Sequence, residues 1–264
     1  MASEISKTQI DRLGERLKKG NITEADLRLL DSYRRSFTEA YEIVMGKIRE
    51  ELKLEPTGRP AKSTTSISDK LRRESIRLTQ IQDIAGCRLI VTDIANQETV
   101  VEALKNLFEQ TTIVDRREQP SHGYRAVHVI ARCDNKLIEI QVRTALQHLW
   151  AELSEKFSDV VDSAIKYGGG DKTSQSILAK LSSLVADEES NEMQFEDIQP
   201  QLFQLSSSTR LTDNHKRRIT AVQERLKSVV PALLDSMRQE VSKLLQNIIK
   251  DVEKLKGEND DLSG

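Results

Sequence analysis

Leu137-Ile138-Glu139-Ile140-Gln141-Val142-Arg143-Thr144 alternates strictly between apolar and polar side chains. A period of two belongs to a β-strand, because successive side chains point to opposite faces. Ile138, Ile140 and Val142 share one face; Glu139, Gln141 and Arg143 share the other. Taken alone, the stretch reads first as an edge strand with one wet face. It also reads as a working surface. A carboxylate accepts a proton or binds a metal, an amide orients a ligand or water, and a guanidinium binds phosphate bidentately. Residues 124–132 show the same period, with Tyr124, Ala126, His128 and Ile130 on one face and Arg125, Val127 and Val129 on the other. Asp134-Asn135 between the two stretches predicts a hairpin turn. Paired that way, His128 comes near Glu139. Tyr124 follows Gly123 at the strand mouth, where a ring can stack on a base or simply close the sheet edge.

Outward from this hairpin the pattern keeps alternating. Residues 66–73 predict a short helix, 87–91 a strand, 97–108 a helix with Val100, Val101, Leu104 and Leu107 inward, and 112–114 a second strand. Pro120-Ser121-His122-Gly123 predicts a turn, and 145–157 another helix. The fold class expected is α+β: a mixed β-sheet with packed helices. Before it, residues 3–54 are charged and helical in period. Thr23 is the candidate N-cap with Asp26 three residues on, and Ile22 and Leu27 are spaced to staple across it. Leu27, Leu30, Tyr33, Phe37, Tyr41, Val44, Ile48 and Leu52 form one apolar face, which Pro56-Thr57-Gly58 ends. After the core, Tyr167-Gly168-Gly169-Gly170 breaks the chain. Residues 174–186 predict a helix and 188–208 a polar loop. Residues 211–255 predict a long amphipathic helix or helix pair, kinked or restarted at Pro231, and 257–261 a frayed acidic tail. The domain reading is 1–57 N-terminal helices, 58–166 core, and 167–264 a long helical C-terminal extension.

A net charge of −2 over 264 residues gives no global reason to bind nucleic acid or an anionic membrane, so any basic site must be local. Cys87 and Cys133 lack a CxxC or Cys/His cluster and read as free thiols of a reducing compartment. The N-terminal residues have no apolar signal region, and no stretch approaches the roughly 18 apolar residues of a membrane span. A soluble, cytoplasmic protein is expected.

The local basic site is found upstream. Arg59, Lys62, Lys70, Arg72, Arg73 and Arg77 surround the helix at 66–73, whose start is lined by Ser63, Thr64, Thr65 and Ser66. Backbone N–H groups at a helix N-terminus with nearby cations suit a polyphosphate, though the residues also read as a solvated basic helix. The glycines of a Walker A loop are missing. Asp83, just before the first core strand, reads as a turn residue or as a Mg²⁺ carboxylate, since Mg²⁺ takes one or two carboxylates plus phosphates.

Four stretches, in order, resemble the synthetase domain of the RelA/SpoT family. They are Arg59-Pro-Ala-Lys-Ser-Thr-Thr-Ser-Ile-Ser-Asp-Lys70-Leu71, Gln82-Asp83-Ile-Ala-Gly-Cys-Arg88-Leu-Ile-Val91, Pro120-Ser-His-Gly-Tyr124-Arg125-Ala-Val-His128, and Glu139-Ile-Gln141-Val-Arg143-Thr144 followed by His148 and Ala151-Glu152. The resemblance implies a nucleotidyltransferase-like synthetase core that moves pyrophosphate from ATP to the ribose 3′-hydroxyl of GDP or GTP, making the (p)ppGpp alarmone of the stringent response. It implies Arg59 and Arg88 around adenine, with Lys62, Ser66 and Lys70 on the ATP phosphates. Asp83 and Glu139 become catalytic carboxylates and Mg²⁺ ligands, Glu139 also activating the acceptor hydroxyl. Tyr124 stacks on the acceptor base, and Arg125, His128, Gln141, Arg143 and His148 support the acceptor side.

The departures from the family pattern are specific. Arg59-Pro60-Ala61-Lys62 carries one residue more than the usual Arg-x-Lys. Ser121 and His122 stand where guanine-nucleotide synthetases often have Lys and Asn or Ser, which removes a contact to the acceptor's phosphates. His122, His128, His148 and His215 are none of them followed by Asp, so the family's His-Asp hydrolase signature is missing. The segment before the core is short for such a domain, as is the segment after it for the family's large regulatory region. A small stand-alone synthetase without alarmone hydrolysis is expected. Two alternatives stay open: a toxin-type relative that pyrophosphorylates the tRNA 3′ end or an adenine nucleotide, and a catalytically silent nucleotide-binding or helical interaction module. The C-terminal helices suit homo-oligomerisation or a protein partner.

Overall fold

The computed structural model of the chain describes residues 5–162, 164–207 and 212–262. It resolves into two compact units, one comprising Met1–Ile90, Thr99–Val114 and Val127–Val142, the other Val91–Glu98, Asp115–Ala126 and Arg143–Gly264.

The first unit begins with three helices. α1 (Lys7–Lys19) starts on a Ser6/Gln9 capping box. α2 (Glu24–Arg35) starts where the sequence places it, with Thr23 as N-cap and Asp26 returning a bond to the Thr23 backbone. Asp26 also accepts from Arg16, whose Nη2 lies 2.6 Å from Oδ1. The predicted staple does not form, because Leu27 is exposed. The apolar face expected as one run is divided. α2 stops at Arg35, the Ser36 hydroxyl donates to the Tyr33 carbonyl at 2.6 Å, and α3 (Thr38–Leu52) restarts with Tyr41, Val44 and Ile48 buried. Lys53, at φ 55°, turns the chain out of α3 ahead of Pro56, and Thr57–Arg59 is a short strand, β1.

Asp26 supplies a pH prediction. The hydrogen bond from Arg16, then those from Thr23, hold its carboxyl down from 3.8 to about 2. A depressed folded value contributes stability that is whole above the ordinary carboxylate range and is lost as pH falls through the folded value. The stability gap between wild type and Asp26→Asn, read by denaturant titration, is therefore expected to be full at neutral pH, to narrow below 3.8 and to close near about 2. A gap independent of pH would contradict the assignment.

The sheet of this unit is mixed and five-stranded, in the order β1-β2-β5-β4-β3, with β2 at Ala85–Val91, β3 at Thr111–Asp115, β4 at Val127–Cys133 and β5 at Lys136–Thr144. α4 (Thr64–Arg73) is capped by the Ser63 hydroxyl, and α5 (Ile94–Leu107) connects β2 to β3. β4 and β5 form the expected antiparallel hairpin, closed by Asp134 and Asn135 at φ 45° and 59°. β5 is not an edge strand. It lies in the middle of the sheet, between β2 and β4. Its apolar face, Ile138, Ile140 and Val142, is fully buried. Gly86 makes the β2 approach feasible: a Cβ there would lie 2.6 Å from the Glu139 carbonyl oxygen. β4 begins later than its alternation suggests. His122 (φ 54°) and Gly123 (φ 87°) reverse the chain, and Tyr124 pairs back to Ser121. Tyr124 therefore belongs to the turn and not to the strand.

The second unit is built on α6 (Ala145–Val160), α7 (Lys172–Ser206) and α8 (Asp213–Leu262). Leu146, Trp150, Leu153, Leu178, Leu181, Val185, Leu245 and Ile249 form its core. The loop expected at 188–208 is helix through Ser206 with Ser207 as its C-cap, and 208 lies outside the described residues. Some of the polar residues that suggested a loop are interior: Glu189 and Glu192 are buried, and pair with Arg125 and Arg238. Partnered carboxylates of this kind satisfy a helix that hydropathy alone makes look exposed. α8 runs through Pro231 without a restart and on to Leu262, over the tail expected to fray. Leu211 lies outside the described residues. Much of the predicted α8 stripe, including Val222, Val229, Leu233 and Leu244, is exposed, and Leu245, Ile249 and Val252 supply the buried face. Among the described residues no helix is long and apolar enough to cross a membrane.

Candidate functional site

In the first unit, two carboxylates are held by different means. Asp83 precedes β2 in a loop. The Lys62 ammonium binds its Oδ2, and Lys70 Nζ, from α4, lies 3.0 Å from its Oδ1. The Lys62 backbone N–H also donates to the Ile84 carbonyl at 2.7 Å, which ties the segment after β1 to the Asp83 loop. Burial pushes the Asp83 carboxyl up, but the two ammoniums outweigh it and the group ends below its ordinary value. Glu139 stands on β5. In the hairpin register His128 faces Gln141 and Ile130 faces Glu139, so His128 and Glu139 are diagonal neighbours. His128 Nδ1 lies 2.9 Å from Glu139 Oε1, and Gln141 Nε2 donates to Oε2 at 2.7 Å. Burial pushes Glu139 up. The bond and charge of His128 pull it down, the Asp83 charge opposes that, and Gln141 helps; the net direction is down. Both groups are therefore ionised carboxylates at neutral pH. The Asp83 charge is felt at Glu139.

The other residues that the resemblance assigns to the ATP side, Arg59, Arg88 and Ser66, lie in the same unit. Arg59 faces Gly86 in the β1–β2 pairing and Arg88 faces Thr57, so the two arginines are diagonal neighbours on one face. Ser66 lies in the first turn of α4, where its N–H and hydroxyl are both bonded to Ser63 Oγ. Mg²⁺ usually takes one or two carboxylates and completes its shell with phosphate and water. Among the described residues no group of three or more His, Cys, Asp or Glu offers a protein-only cage. Two ionised carboxylates of one unit, with the charge of Asp83 felt at Glu139, fit a metal that arrives with a nucleotide, and Asp83 and Glu139 are the residues that would hold it.

In the second unit, Tyr124 packs against the α6–α7–α8 core, and Arg143 Nη2 donates to its hydroxyl at 2.9 Å. The Arg143 guanidinium is also 5.0 Å from the centre of the Tyr124 ring. Arg125 is engaged in an ion pair within the same unit. Its Nη2 lies 2.6 Å from Oε2 of the buried Glu189 on α7. His148 is half-buried on α6. Sequence reasoning missed Gln97, Arg117, Gln147 and Glu189, which bond to one another and to Arg125. One signal was available: Thr144-x-x-Gln147 is a capping-box spacing, and Thr144 does cap α6 through it.

Residues 58–158 match the family described as the region found in RelA/SpoT proteins. That matched segment holds both carboxylates, the lysines, the hairpin and the Tyr124 turn. Over 111 residues the chain is 40% identical to uncharacterised proteins of Mycobacterium tuberculosis (strain H37Rv) and Mycobacterium bovis, a stretch covering 40% of this chain and 41% of each relative. It is 32% identical over 145 residues to the guanosine-3′,5′-bis(diphosphate) 3′-pyrophosphohydrolase of Aquifex aeolicus, covering 51% of this chain and 20% of that one. The chain thus spans about two-fifths of the length of the mycobacterial relatives it matches. Among solved structures, small alarmone synthetase 1 of Bacillus subtilis is 26% identical with a TM-score of 0.48, covering 69% of this chain and 100% of that chain. The same protein bound to its product pppGpp is 27% identical with a TM-score of 0.49, covering 65% and 96%.

Proposed function

We propose that the chain is a pyrophosphotransferase that moves the β,γ-pyrophosphoryl group of ATP to the ribose 3′-hydroxyl of GDP or GTP, with the chemistry residing in residues 58–166. One observation carries the reading: an ionised Glu139, aimed by His128 and Gln141, in the same unit as an Asp83 clasped by Lys62 and Lys70, within the RelA/SpoT region. In this reaction the acceptor oxygen forms a bond to the β-phosphorus. The bond from that phosphorus to the α,β-bridging oxygen breaks, AMP leaves with that oxygen, and the hydroxyl proton passes to Glu139. Positioned proton acceptance and charge stabilisation are what such a transfer demands of a protein. Bound Mg²⁺ supplies charge neutralisation at the phosphate oxygens. Lys62 and Lys70 are donors that can pass from Asp83 to phosphate oxygens when a nucleotide enters. Arg59 and Arg88 take the adenine, and Ser66 contributes at the N-terminus of α4. Gln141 fixes the orientation of Glu139.

The acceptor side rests on Tyr124, which stacks on the base, with Arg143 bracing its hydroxyl and His148 nearby in sequence. Tyr124→Ala is expected to raise the acceptor KM about ten-fold or more, the scale of base-on-aromatic stacking, while the ATP KM changes little. Equal effects on both substrates in steady-state kinetics would defeat the stacking role. Acceptor identity is tested by offering GDP, GTP, ATP and bulk tRNA in parallel with Mg²⁺ and labelled ATP. Transfer to GDP or GTP supports the proposal. Transfer only to tRNA or ATP moves the acceptor assignment to the toxin-type or adenine reading. Intact ATP binding with no transfer leaves a silent nucleotide-binding module.

A further inference from the structure

A closed ring of hydrogen bonds among buried and half-buried polar residues includes Arg125, the residue that follows Tyr124. Arg125 Nη1 donates to the Arg117 carbonyl at 3.0 Å. Arg117 Nη1 donates to Gln97 Oε1 at 3.2 Å, and Gln97 Nε2 to Gln147 Oε1 at 2.8 Å. Gln147 Nε2 donates to Glu189 Oε1 at 2.6 Å, and Glu189 Oε2 returns to Arg125 at 2.6 Å and 2.9 Å. Gln97, Gln147 and Glu189 are 0%, 1% and 3% exposed. Every residue of the ring belongs to the second unit. A second bond reaches the same turn from α7, where Ser182 Oγ donates to the Gly123 carbonyl at 2.7 Å. Arg117 is further fixed by Asp115 and by Glu98, 2.7 Å away.

These contacts bear on one short segment. Residues 115–126 carry the Ser121–Tyr124 turn and form no regular strand beyond Asp115. His122, a non-glycine residue at φ 54°, makes the turn costly to hold by local preference alone. Besides the apolar packing of Tyr124 and the Arg143 bond to its hydroxyl, polar bonds from Glu189 and Ser182 hold it, and these come from α7, which begins beyond the matched region's last residue, 158. Glu189 is the only carboxylate in the ring that binds both Arg125 and Gln147. Removing its charge leaves the Arg125 guanidinium without its counter-ion in a buried setting, where an unpaired charge is costly.

We propose that Glu189 is a positioning residue for the acceptor, acting through Arg125 to set the Tyr124 turn, so that the C-terminal extension supplies part of the acceptor specificity. This rests on the acceptor role proposed above for Tyr124. It also assigns Arg125 to the scaffold of the turn, with its charge met by Glu189 and not by acceptor phosphate. The acceptor is accordingly read more through its base than through its phosphates, in keeping with Ser121 and His122 in the turn.

The test is Glu189→Gln, isosteric but uncharged, with Ser182→Ala as a milder second variant that removes only the bond to Gly123. Steady-state kinetics are paired with hydrogen exchange of the unliganded full chain. Glu189→Gln is expected to raise the acceptor KM about ten-fold, leave the ATP KM within about two-fold, and speed amide exchange in 115–126 while β2 and β5 keep their protection. Ser182→Ala is expected to move the same quantities in the same direction by less. Glu189→Asp, which keeps the charge, is expected to recover part of the effect. An unchanged acceptor KM in folded variants, or ATP and acceptor KM rising together, overturns the proposal. If the wild type transfers to no acceptor, the functional reading fails by itself. Exchange in 115–126 then decides the positioning claim: faster exchange in Glu189→Gln supports it, and unchanged exchange overturns it. If Glu189→Gln does not fold, the Ser182→Ala result decides in the same way.

Discussion

Glu139→Gln is expected to lower kcat by about 10³-fold, in the range lost with a positioned general base, while nucleotide binding survives. The substitution is nearly isosteric. It keeps an acceptor oxygen for the Gln141 amide, 2.7 Å away in the parent, and keeps the side chain in its place on the central strand. What it removes is the negative charge that His128 holds below the ordinary carboxylate range. If proton acceptance is the role of Glu139, kcat and kcat/KM for the acceptor fall together, since the interaction lost exists only in the transition state. Calorimetric ATP binding near the parent's serves as the control. Near-normal turnover would remove Glu139 from the chemistry and return β5 to a structural strand.

Asp83→Asn is expected to act on both chemistry and stability. The carboxylate meets two ammoniums, and all three side chains are largely shielded, at 15%, 12% and 22% exposure for Asp83, Lys62 and Lys70. Asparagine leaves both lysines without a counter-charge. Loss of a charged partner in such a setting costs about 1–3 kcal/mol, to be read as a lower denaturation midpoint at neutral pH. The sign with pH follows from the depressed Asp83 carboxyl. The stability it confers is whole above the ordinary carboxylate range and is lost as pH falls through the folded value, so the parent and variant converge in acid. Turnover is expected to fall about 10²-fold or more, because a charge that Mg²⁺ and phosphate depend on is gone. Raised Mg²⁺ should recover part of it. A variant with the parent's Mg²⁺ dependence and turnover would show that Asp83 only neutralises lysines.

The hairpin was legible because its information is local. Period two assigned Glu139 and His128 to their strands, the Asp134-Asn135 turn set the register, and the register made them diagonal neighbours. The position of β5 within the sheet was not legible. Its β2 neighbour is separated by α5, β3 and β4, and a half-polar strand looks the same at an edge or beside a glycine that lets another strand approach. The Tyr124 turn was read correctly as a turn at 120–123 but given one face of a strand, because alternation continued across residues whose φ angles reverse the chain. Helix α7 was missed in its second half for a related reason. Glu189 and Glu192 look like solvent-facing polarity unless their partners on distant segments are known. The lysine pair on Asp83 follows the same logic. Its members were each named from the sequence, but a salt bridge between residues 13 and 21 positions apart in the chain is set by tertiary packing.

The central claim is that a pyrophosphoryl group, and not a single phosphoryl group, leaves ATP. It is tested most directly with ATP carrying distinguishable labels at the β and γ positions, incubated with the full chain, Mg²⁺ and GDP or GTP. Both labels are predicted to arrive on the acceptor in equal amount, at the ribose 3′ position, with one AMP released per acceptor modified. Transfer of the γ label alone with ADP released, or release of both labels to water with no acceptor modified, would contradict the account.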